Sequence, residues 1–510
     1  MNVASLFEKC AQRYGAQIAL RDLASGETLD FAALYRALGG VASELQATGI
    51  ARGERVALLG GTGADYLICD YGIMACGRVR VPLDPGLSSA EQAAQLRDAE
   101  ARLLICSRDF ASRAAELVQQ VEGLRVIDLA TARGVAGSAQ CAHEFPAGDE
   151  LASLSYTGGT TGRPKAVMIT HASLTAAVQN IVGARGMGPG DVMQNVRPVW
   201  PIAAIVLLAH LAAGGTVLMA EKFEPIAFLE LLETHRVAAT SLVPTQLARV
   251  MNDTDPRSYD LSQLRVIDVG AAAIQPELFA RVLDAFGPRV GILYGLTEAP
   301  WSCYLPPSAF AVGVGQRERR MRSVGRALFG VEVAARSPEG APLAYGEEGE
   351  ITIRGPHLAP GYWRRPEADA TAFRNGWFHT GDLGSIDAEG YLSITGRIKE
   401  LIRSGGKSVV PAEVEAALRA HPVVADAAVL GLPDAEWGEV VAAVVVLHAN
   451  GAADDTRHDI PTEQQLIDWC RERLSSFKKP RRIFFLPEIP RSHYGKVLHA
   501  RLRQMIAPNS

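Results

Sequence analysis

Five short segments of the sequence contain residues that could bind and activate a nucleotide, and the first is rich in glycine and threonine. It runs from Tyr156 to Lys165 as YTGGTTGRPK. Its glycines free the backbone to wrap an anion with N–H groups, and its threonine hydroxyls add further donors. Lys165 adds a cation, but the Arg163-Pro164 pair before it excludes a Walker A loop, which requires Gly-Lys followed by Ser or Thr. On its own, this segment fits a phosphate-binding loop and a flexible hairpin tip equally well.

Two further segments combine groups that suit the rest of a nucleotide. In YGLTE, which begins at Tyr294, an aromatic ring could stack on a base. The Thr297 hydroxyl and the Glu298 carboxylate of the same segment could contact the α-phosphate and Mg²⁺, because hard cations take carboxylate oxygens. In HTGDL, Asp382 could accept hydrogen bonds from both ribose hydroxyls. Taken singly, the first segment also fits a strand end with Thr297 as a helix N-cap, and the second fits a turn.

The remaining two segments lie closer to the C-terminus. GRIKELIRSGGKSVVPAEVE, residues 396–415, combines charges and a glycine pair with a helix start near Pro411. PRSHYGKVLHAR, residues 490–501, places Lys496 directly after a glycine. Alone, the first also fits a solvated linker, and the second fits a surface lysine.

These segments are spaced along a chain whose hydrophobic pattern predicts an α/β fold. From about residue 30 to 290, Ala/Leu-rich helical patterns alternate with short β-branched runs such as Thr216–Met219, which favours largely parallel sheets. Between about residues 320 and 395, short strands with turn signals predict antiparallel hairpins in a small barrel-like region. A new α+β unit begins after Gly396. We therefore predict a large N-terminal domain, residues 1–398, and a small C-terminal lid, residues 399–510.

Size and composition exclude several classes of protein. With 510 residues, 48% hydrophobic and 21% charged, the chain has the composition of a globular protein of more than one domain. A net charge of −5 gives no general attraction to nucleic acid or anionic lipid. The seven cysteines form no CxxC pair, which predicts reduced thiols in the cytoplasm. The apolar run 200–220 is broken by Pro201, His210 and two glycines, so it predicts a buried helix and a strand, not a membrane span.

In this order, the five segments resemble the motifs of the adenylate-forming acyl-CoA synthetase superfamily, which includes luciferases and the adenylation domains of peptide synthetases. The family's YTSGTTGxPKG is similar to residues 156–166, its YGxTE to 294–298 and its TGD to 380–382. Its GRxKDxIxxxG resembles residues 396–405, and its PRTxxGK resembles residues 490–496. The family implies a large domain followed by a small lid that swivels between two half-reactions.

Carried over residue by residue, the resemblance implies an ATP site built from these segments. The loop after Tyr156 is expected to hold the β- and γ-phosphates, while Tyr294 flanks the adenine. Asp382 and Arg397 are expected to grip the ribose. The expected ATP-binding residues are Thr157, Gly158, Gly159, Thr160, Thr161, Gly162, Lys165, Gly270, Ala271, Tyr294, Gly295, Thr297, Asp382, Arg397 and Lys496.

The resemblance also implies the roles of four catalytic residues. Lys496 is expected to bridge the substrate carboxylate and the α-phosphate, where it would offset the charge that develops in the transition state. Thr297 is expected to contact the α-phosphate, and Glu298 to ligate Mg²⁺. Lys399 falls at the hinge position, where the backbone torsions of one residue absorb the movement of the lid.

The acyl pocket is expected to be apolar. Residues 196–212 contain no Asp or Glu, which disfavours an amino-acid substrate because an unpaired ammonium group is costly to bury. An apolar wall fits an aryl or medium aliphatic acid. Arg197 could bind a second carboxylate, although such an arginine is more often a surface or interdomain residue. The expected wall residues are Trp200, Ile202, Ala203, Ala272, Leu296 and Trp301.

A basic patch, FKKPRR from Phe477 to Arg482, is similar to a segment that lies near the nucleotide of CoA in related ligases. Alone, it also fits a solvated basic surface. The expected CoA-binding residues are Gly405, Gly406, Trp437, Phe477 and Lys479. We therefore predict an AMP-forming acid–thiol ligase that uses ATP, Mg²⁺ and CoA.

Two alternatives stay open from the sequence. One is a stand-alone adenylating enzyme that loads a separate carrier protein. The other is a nucleotide-binding regulatory protein without turnover, against which Lys165, Glu298 and Lys496 argue. Nothing in the sequence positively supports an oxygenase activity of the luciferase type.

Overall fold

The structure, a computed structural model, describes residues 1–134, 145–157, 165–201, 203–220, 222–448, 461–491 and 497–506. Over these residues, helices and strands alternate for most of the chain. The strands are β1 (Ile18–Asp22), β2 (Thr28–Asp30), β3 (Arg55–Leu59), β4 (Val79–Pro82), β5 (Leu103–Cys106), β6 (Arg125–Asp128), β7 (Leu151–Thr157), β8 (Lys165–Thr170), β9 (Val192–Asn195), β10 (Thr216–Met219), β11 (Ala239–Leu242), β12 (Val266–Val269), β13 (Val290–Tyr294), β14 (Cys303–Leu305), β15 (Arg326–Ala327), β16 (Glu332–Arg336), β17 (Gly349–Arg354), β18 (Phe373–Arg374), β19 (Trp377–Ile386), β20 (Leu392–Arg397), β21 (Ile402–Ser404), β22 (Lys407–Val409), β23 (Val424–Asp434), β24 (Gly438–Leu447) and β25 (Arg482–Phe485). The helices are α1 (Val3–Tyr14), α2 (Phe31–Ala47), α3 (Ala64–Ala75), α4 (Ser89–Ala99), α5 (Ala111–Gln120), α6 (Leu129–Arg133), α7 (His171–Arg185), α8 (Ala204–Ala212), α9 (Pro225–Thr234), α10 (Pro244–Asp253), α11 (Pro276–Phe286), α12 (Val314–Met321), α13 (Pro366–Ala372), α14 (Pro411–Arg419), α15 (Glu463–Arg473) and α16 (His499–Ile506).

The largest sheet has nine strands in the order β15-β14-β13-β12-β11-β9-β10-β1-β2. Its strands from β13 to β1 run parallel, and the pairs at both ends are antiparallel. A central strand such as β12, with the sequence VIDV, is buried at every position, as expected where helices cover a parallel sheet. The parallel strands bring their carboxyl ends to one edge, which is where α/β sheets bind ligands.

A second, six-stranded sheet has the order β6-β5-β3-β4-β7-β8. It is parallel up to β7, and β8 returns antiparallel to β7. Helix α3 packs in the same core, and every one of its residues except Asp65 is buried. A helix that is apolar on nearly all sides belongs in a core, and Asp70 stands out there as a buried carboxylate.

Two smaller sheets follow. The first has the order β16-β17-β19-β18 with β20 on β19, and its β18–β19 and β19–β20 pairs are antiparallel, as the hairpin signals predicted. The second has the order β22-β21-β24-β23 with β25 on β24. The predicted α/β architecture with a small antiparallel sheet and an α+β C-terminal part is confirmed.

The chain divides into two compact units: residues 1–333 with 353–379, and residues 334–352 with 380–510. The first unit holds the two large sheets, and the second holds the sheet of β21–β25. The domain boundary expected at 398/399 stays a prediction about where the lid begins.

The apolar run 200–220 folds as predicted, into helix α8, a glycine pair and strand β10. α8 is buried because it is apolar all round apart from His210. Burial lowers the pKa of the His210 imidazole to about 4. Within the described ranges, no helix is both long enough and apolar enough to cross a bilayer.

Candidate active site

The two ends of the glycine- and threonine-rich segment lie side by side in the first unit. Thr157 ends β7 and pairs with Lys165, which begins the antiparallel β8. The Thr157 hydroxyl also donates to the Lys165 carbonyl at 3.4 Å. The antiparallel ladder of β7 and β8 therefore fixes the two residues that flank this segment.

Tyr156, the first residue of that motif, links β7 to α4 through its side chain. Its buried hydroxyl donates to the Asp98 carboxylate at 2.8 Å and to the Gln95 carbonyl at 3.0 Å. Burial, and then the neighbouring Asp98, raise the pKa of this phenol. The hairpin is thus tied to α4 one residue before the loop begins.

Glu298 is joined to the same hairpin through Tyr362, a residue that the motifs did not single out. The Tyr362 hydroxyl donates to Glu298 Oε1 at 2.8 Å, and both side chains are buried. The Ala359 N–H donates to the Glu298 carbonyl at 2.8 Å, so both the backbone and the side chain of Glu298 are fixed. The Lys165 ammonium lies 5.2 Å from the centre of the Tyr362 ring, within range of a cation–π contact.

The backbone on either side of Tyr362 pairs with β8. The Trp363 N–H donates to the Ala166 carbonyl at 2.9 Å, and the Met168 N–H donates to the Gly361 carbonyl at 3.0 Å. The segment Gly361–Trp363 therefore runs along β8, the strand that follows the glycine- and threonine-rich segment. The only sequence signal for it is a glycine followed by two aromatic residues, which does not reveal the contact with Glu298.

The YGLTE segment forms a tight turn between β13 and β14. Leu296 and Ala299 exchange two backbone hydrogen bonds of 3.1 Å, and Thr297 lies partly exposed between them. The chain reverses into a strand, so the alternative interpretation of Thr297 as a helix N-cap is wrong. Tyr294 ends β13 and is half-buried. At the end of the adjacent β12, Gly270 is followed by Ala271, which is exposed with a φ of 71°.

A buried ion pair contacts the backbone next to Trp200, a residue of the expected acyl-pocket wall. Trp200 is buried with its ring 5.8 Å from that of Tyr66. The Arg80 guanidinium donates to the Pro201 carbonyl at 2.5 Å and contacts both oxygens of Asp70 at 2.8 Å. Since Arg80 and Asp70 are 4% and 0% exposed, this pair fixes the chain next to Trp200.

The other expected wall residues lie in two clusters. Trp301 is buried in the same apolar cluster as Trp200, whereas Leu296 packs with Ala299 and Phe378. Ala203 and Ala272 are partly exposed.

A second buried ion pair joins α7 to β12 of the nine-stranded sheet. Asp268 Oδ2 lies 2.8 Å from Arg185 Nε, and Asp268 Oδ1 accepts from the Tyr304 hydroxyl at 2.8 Å. Gly291 makes room for this contact, since a Cβ there would lie 2.3 Å from the Tyr304 hydroxyl. Burial raises the pKa of the Asp268 carboxyl, and Arg185 opposes that rise. Arg197 donates to Ser241 at 2.9 Å near the same group.

In the second unit, the two residues expected to grip ribose already form a pair. Asp382 on β19 and Arg397 on β20 are partners in the antiparallel ladder. Arg397 Nε lies 2.9 Å from Asp382 Oδ1, and the Asp382 side chain is 4% exposed. Lys399 follows in a single turn of 3₁₀ helix, Ile398–Glu400.

Among the residues expected to bind CoA, Trp437 contacts Gly405. The ring packs on Gly405, where a Cβ would lie 2.5 Å from it, and the Gly405 N–H donates to the Trp437 carbonyl at 2.9 Å. The Arg481 guanidinium lies 4.1 Å from the centre of the ring. In the same unit, the Lys407 ammonium lies 4.6 Å from the Phe477 ring. Gly406 has a φ of 75°, and Lys479 is partly exposed.

Several expected site residues fall outside the described ranges. They are Gly158, Gly159, Thr160, Thr161 and Gly162 of the phosphate loop, Ile202 of the acyl wall, and Lys496. Among the described residues, no group of three or more His, Cys, Asp or Glu side chains could hold a metal ion.

Comparison with known families assigns most of the chain. The model of the AMP-binding enzyme family matches residues 7–363, and the model of the AMP-binding enzyme C-terminal domain matches residues 413–496. The chain therefore belongs to the AMP-binding enzyme family. The adenylate-forming superfamily named from the five motifs is confirmed.

Similar proteins with assigned activities show which class of AMP-binding enzyme the chain resembles. A feruloyl-CoA synthase from Amycolatopsis is 35% identical over 486 residues, which cover 94% of each chain. A 4-coumarate–CoA ligase from Petroselinum crispum is 32% identical over 520 residues, covering 97% of this chain and 92% of its own. A 2-succinylbenzoate–CoA ligase from Bacillus cereus is 30% identical over 482 residues, 94% of each chain. The prediction of an AMP-forming acid–thiol ligase is confirmed at this level.

Solved structures agree with the fold along the whole chain. ATP-bound MatB from Rhodopseudomonas palustris is 30% identical, with a TM-score of 0.87 over 99% of each chain. The amide bond synthetase McbA from Marinactinospora thermotolerans is also 30% identical, with a TM-score of 0.88 over 99% of this chain and 100% of its own.

Proposed function

We propose that this protein converts an aryl or aliphatic carboxylic acid with an apolar body into its CoA thioester, through an acyl-adenylate. In the first step a carboxylate oxygen attacks the α-phosphorus of ATP, and the bond to the leaving pyrophosphate breaks. In the second step the thiol sulfur attacks the acyl carbonyl carbon, the carbonyl–phosphate bond breaks, and AMP leaves with the thiol proton released to solvent. ATP, CoA and a small-molecule acid are the substrates that the family and its named relatives support.

The observation that carries this proposal is the hydrogen bond from Tyr362 to Glu298 beside Lys165. Tyr362 contacts both the buried carboxylate of Glu298 and the cation of Lys165, although these two residues belong to motifs that are far apart in sequence. A cation there suits the β- and γ-phosphates, and a fixed carboxylate suits their metal.

Glu298 fits the Mg²⁺ that we assign to the site. One of its oxygens accepts from the Tyr362 hydroxyl, so the carboxylate is held in one orientation. Mg²⁺ is commonly bound by one or two carboxylates together with substrate phosphates and water, which agrees with a single protein carboxylate here. When bound, the metal would neutralise charge on the phosphates. Glu298 would ligate it, and Tyr362 would hold the Glu298 carboxylate in place.

The remaining residues take the roles that the family resemblance implies. Thr297 contacts the α-phosphate, and the Asp382–Arg397 pair binds the ribose. Lys496 bridges the carboxylate and the α-phosphate, and Lys399 is the hinge. Gly405, Trp437 and the basic patch bind CoA, because a flat ring and clustered cations suit a pantetheine chain and phosphates. We place the protein in the cytoplasm, consistent with the free cysteines in the described ranges.

The acceptor is the part of the reaction that needs a direct test. The purified chain would be assayed for pyrophosphate release with a panel of aryl, short, medium and long acids, with and without CoA. Release that rises with CoA, and a thioester product, are expected for one class of acid.

Two other results would change the conclusion. Slow release that ignores CoA but rises with a carrier protein or an amine would replace CoA as the acceptor. Absence of pyrophosphate with every acid, despite bound ATP, would favour a nucleotide-binding regulatory protein without turnover.

A further inference from the structure

Asp98, in the last turn of α4, accepts hydrogen bonds from two distant parts of the chain. Its Oδ2 atom accepts from the Tyr156 hydroxyl at 2.8 Å, and its Oδ1 atom accepts from the Arg365 guanidinium at 2.5 Å. Its carbonyl oxygen accepts from the indole N–H of Trp363 at 3.1 Å. One residue therefore holds both strand β7 and the segment 362–365 to the same end of a helix.

Both of these parts of the chain lead to residues that are expected to bind Mg·ATP. Strand β7 ends at Thr157, whose partner in the antiparallel ladder is Lys165. In the other segment, the Tyr362 hydroxyl donates to Glu298 at 2.8 Å, and the Tyr362 ring lies 5.2 Å from the Lys165 ammonium. The Asp98 carboxylate thus connects the strand that carries Thr157 with the segment that holds Glu298.

The two side-chain contacts of Asp98 require a carboxylate. A carboxylate has two acceptor oxygens and no donor, and here one oxygen faces a phenol and the other faces a guanidinium. An asparagine would present its NH₂ group to one of these two donors, so one of the two hydrogen bonds would be lost. The Asp98 side chain is 21% exposed and Tyr156 is 6% exposed, so water replaces a lost partner poorly at the phenol.

Glu100, two residues after Asp98, also joins this end of α4 to the segment 362–365. Its carboxylate lies 2.9 Å from the Arg55 guanidinium and pairs with Arg364, and its side chain is 46% exposed. Within the described residues, the Glu100 side chain makes no hydrogen bond to β7. Glu100 therefore supplies a carboxylate that contacts one of the two segments but does not connect them.

We infer that Asp98 is a positioning residue for Mg·ATP, which fixes the placement of β7 relative to the segment that holds Glu298. The inference rests on the proposed function, in which Lys165 and Glu298 meet the phosphates and their metal. Asp98 acts through Tyr156 and Arg365, and not by touching the nucleotide. Its loss should therefore weaken the binding of Mg·ATP without changing the affinity for the acid.

The test compares Asp98→Asn with the control variant Glu100→Gln in the full chain. Isothermal titration with Mg·ATP measures nucleotide binding apart from turnover, and pyrophosphate release with an accepted acid gives KM for ATP and for the acid. Asp98→Asn should raise both Kd and KM for Mg·ATP by about tenfold, because a charge-assisted hydrogen bond is lost. KM for the acid should stay near the wild-type value. Glu100→Gln, which breaks only exposed ion pairs, should leave all three constants unchanged.

Tyr156→Phe breaks the same connection from its other end, and it serves as a second variant if Asp98→Asn does not fold. It should also raise Kd for Mg·ATP. The double variant should lose less affinity than the two single variants combined, because both changes remove one hydrogen bond. Asp98→Glu, which keeps the carboxylate, should restore part of the affinity. Thermal melting without nucleotide shows which variants are folded.

A folded Asp98→Asn variant with the wild-type Kd for Mg·ATP would overturn the inference. An equal rise in KM for ATP and for the acid, an equal effect of Glu100→Gln, or failure of every Asp98 and Tyr156 variant to fold would also overturn it. In each case the wild type still releases pyrophosphate, so the proposed function survives. If the wild type bound Mg·ATP but released no pyrophosphate with any acid, the proposed function would fail, and the titrations would still decide the role of Asp98.

Discussion

In the first unit, two pairs of oppositely charged side chains near the proposed site are buried, whereas in the second unit two cations near the expected CoA-binding residues lie over aromatic rings. Asp70 and Arg80 are 0% and 4% exposed, and Asp268 and Arg185 are 0% and 2% exposed. In the second unit, Arg481 covers Trp437, and Lys407 covers Phe477. A buried pair is costly to break and fixes the backbone around it, while a surface cation–π contact rearranges at little cost.

This contrast suits two different tasks. In the proposed function, the first unit holds the reacting groups in a fixed geometry, which requires side chains that cannot move. The groups proposed to bind CoA, which act in the second step, belong to the second unit. The Asp382–Arg397 pair is intermediate, with a buried carboxylate and a partly exposed guanidinium. Four substitutions test the contrast.

Lys496→Ala is expected to have the largest effect on catalysis. It removes the cation that we assign to the reacting carboxylate and α-phosphate, so adenylate formation should fall by about 10²–10³-fold. Pyrophosphate–ATP exchange measures that step. Thioester formation from a supplied acyl-adenylate should stay near the wild-type rate. An equal loss in both half-reactions would contradict the assigned role.

Asp70→Asn tests whether the buried pair of the first unit is structural. It leaves the Arg80 guanidinium buried without its counter-charge, so the free energy of unfolding should fall by about 3–5 kcal/mol. Urea denaturation, followed by tryptophan fluorescence, measures the change. Arg257→Ala breaks the exposed pair with Asp284 and should cost at most about 1 kcal/mol. Similar losses in the two variants would remove the contrast between buried and exposed charge.

Tyr362→Phe tests the hydrogen bond that holds the Glu298 carboxylate. Loss of a hydrogen bond to a buried carboxylate should raise the Mg²⁺ concentration for half-maximal activity by about tenfold. Binding of Mn²⁺ in the presence of ATP, followed by paramagnetic resonance, gives a readout independent of turnover. Tyr345→Phe is the control, because Tyr345 is 71% exposed in the second unit. If the Tyr362→Phe variant bound the metal as the wild type does but were less stable, Tyr362 would serve packing and not metal binding.

Arg481→Met should have the smallest effect. It removes the cation over Trp437, so KM for CoA should rise by about threefold to tenfold while adenylate formation is unchanged. The matched control is Arg473→Met, since Arg473 covers Trp469 in the same unit at 3.3 Å from the ring centre. If both variants changed KM for CoA alike, the surface around Trp437 would have no special part in binding.

Sequence patterns predicted the elements better than the contacts between them. Thr216–Met219 is a strand with the expected bounds, because short β-branched runs between helices have few other places in an α/β fold. The role of Thr297 is ambiguous in the sequence, because its hydroxyl suits both a contact with the α-phosphate and a helix N-cap. The two hydrogen bonds between Leu296 and Ala299 show that Thr297 lies in a turn and not at a helix start. They depend on β14 returning along β13, which the local sequence does not indicate.

The residues that sequence reasoning missed are those whose meaning depends on distant partners. Tyr362 lies 64 residues from Glu298, and Tyr304 lies 36 residues from Asp268. No periodicity or spacing relates such positions, and a buried carboxylate such as Asp70 occurs in a helix that is otherwise a plain core helix. Recognition of the five motifs supplied the expected ligands of ATP, but it did not indicate which side chains hold those ligands in place.

The course of the chain between the two units has a consequence for engineering and for recombination between relatives. The second unit consists of residues 334–352 and 380–510, so it is not a continuous stretch of sequence. A fragment that starts at residue 380 would lack the strand residues 349–352, and a crossover at 398 would separate Asp382 from Lys399 and from everything after it. An exchange of the second unit between two ligases therefore needs two grafts, one of which replaces a short internal segment.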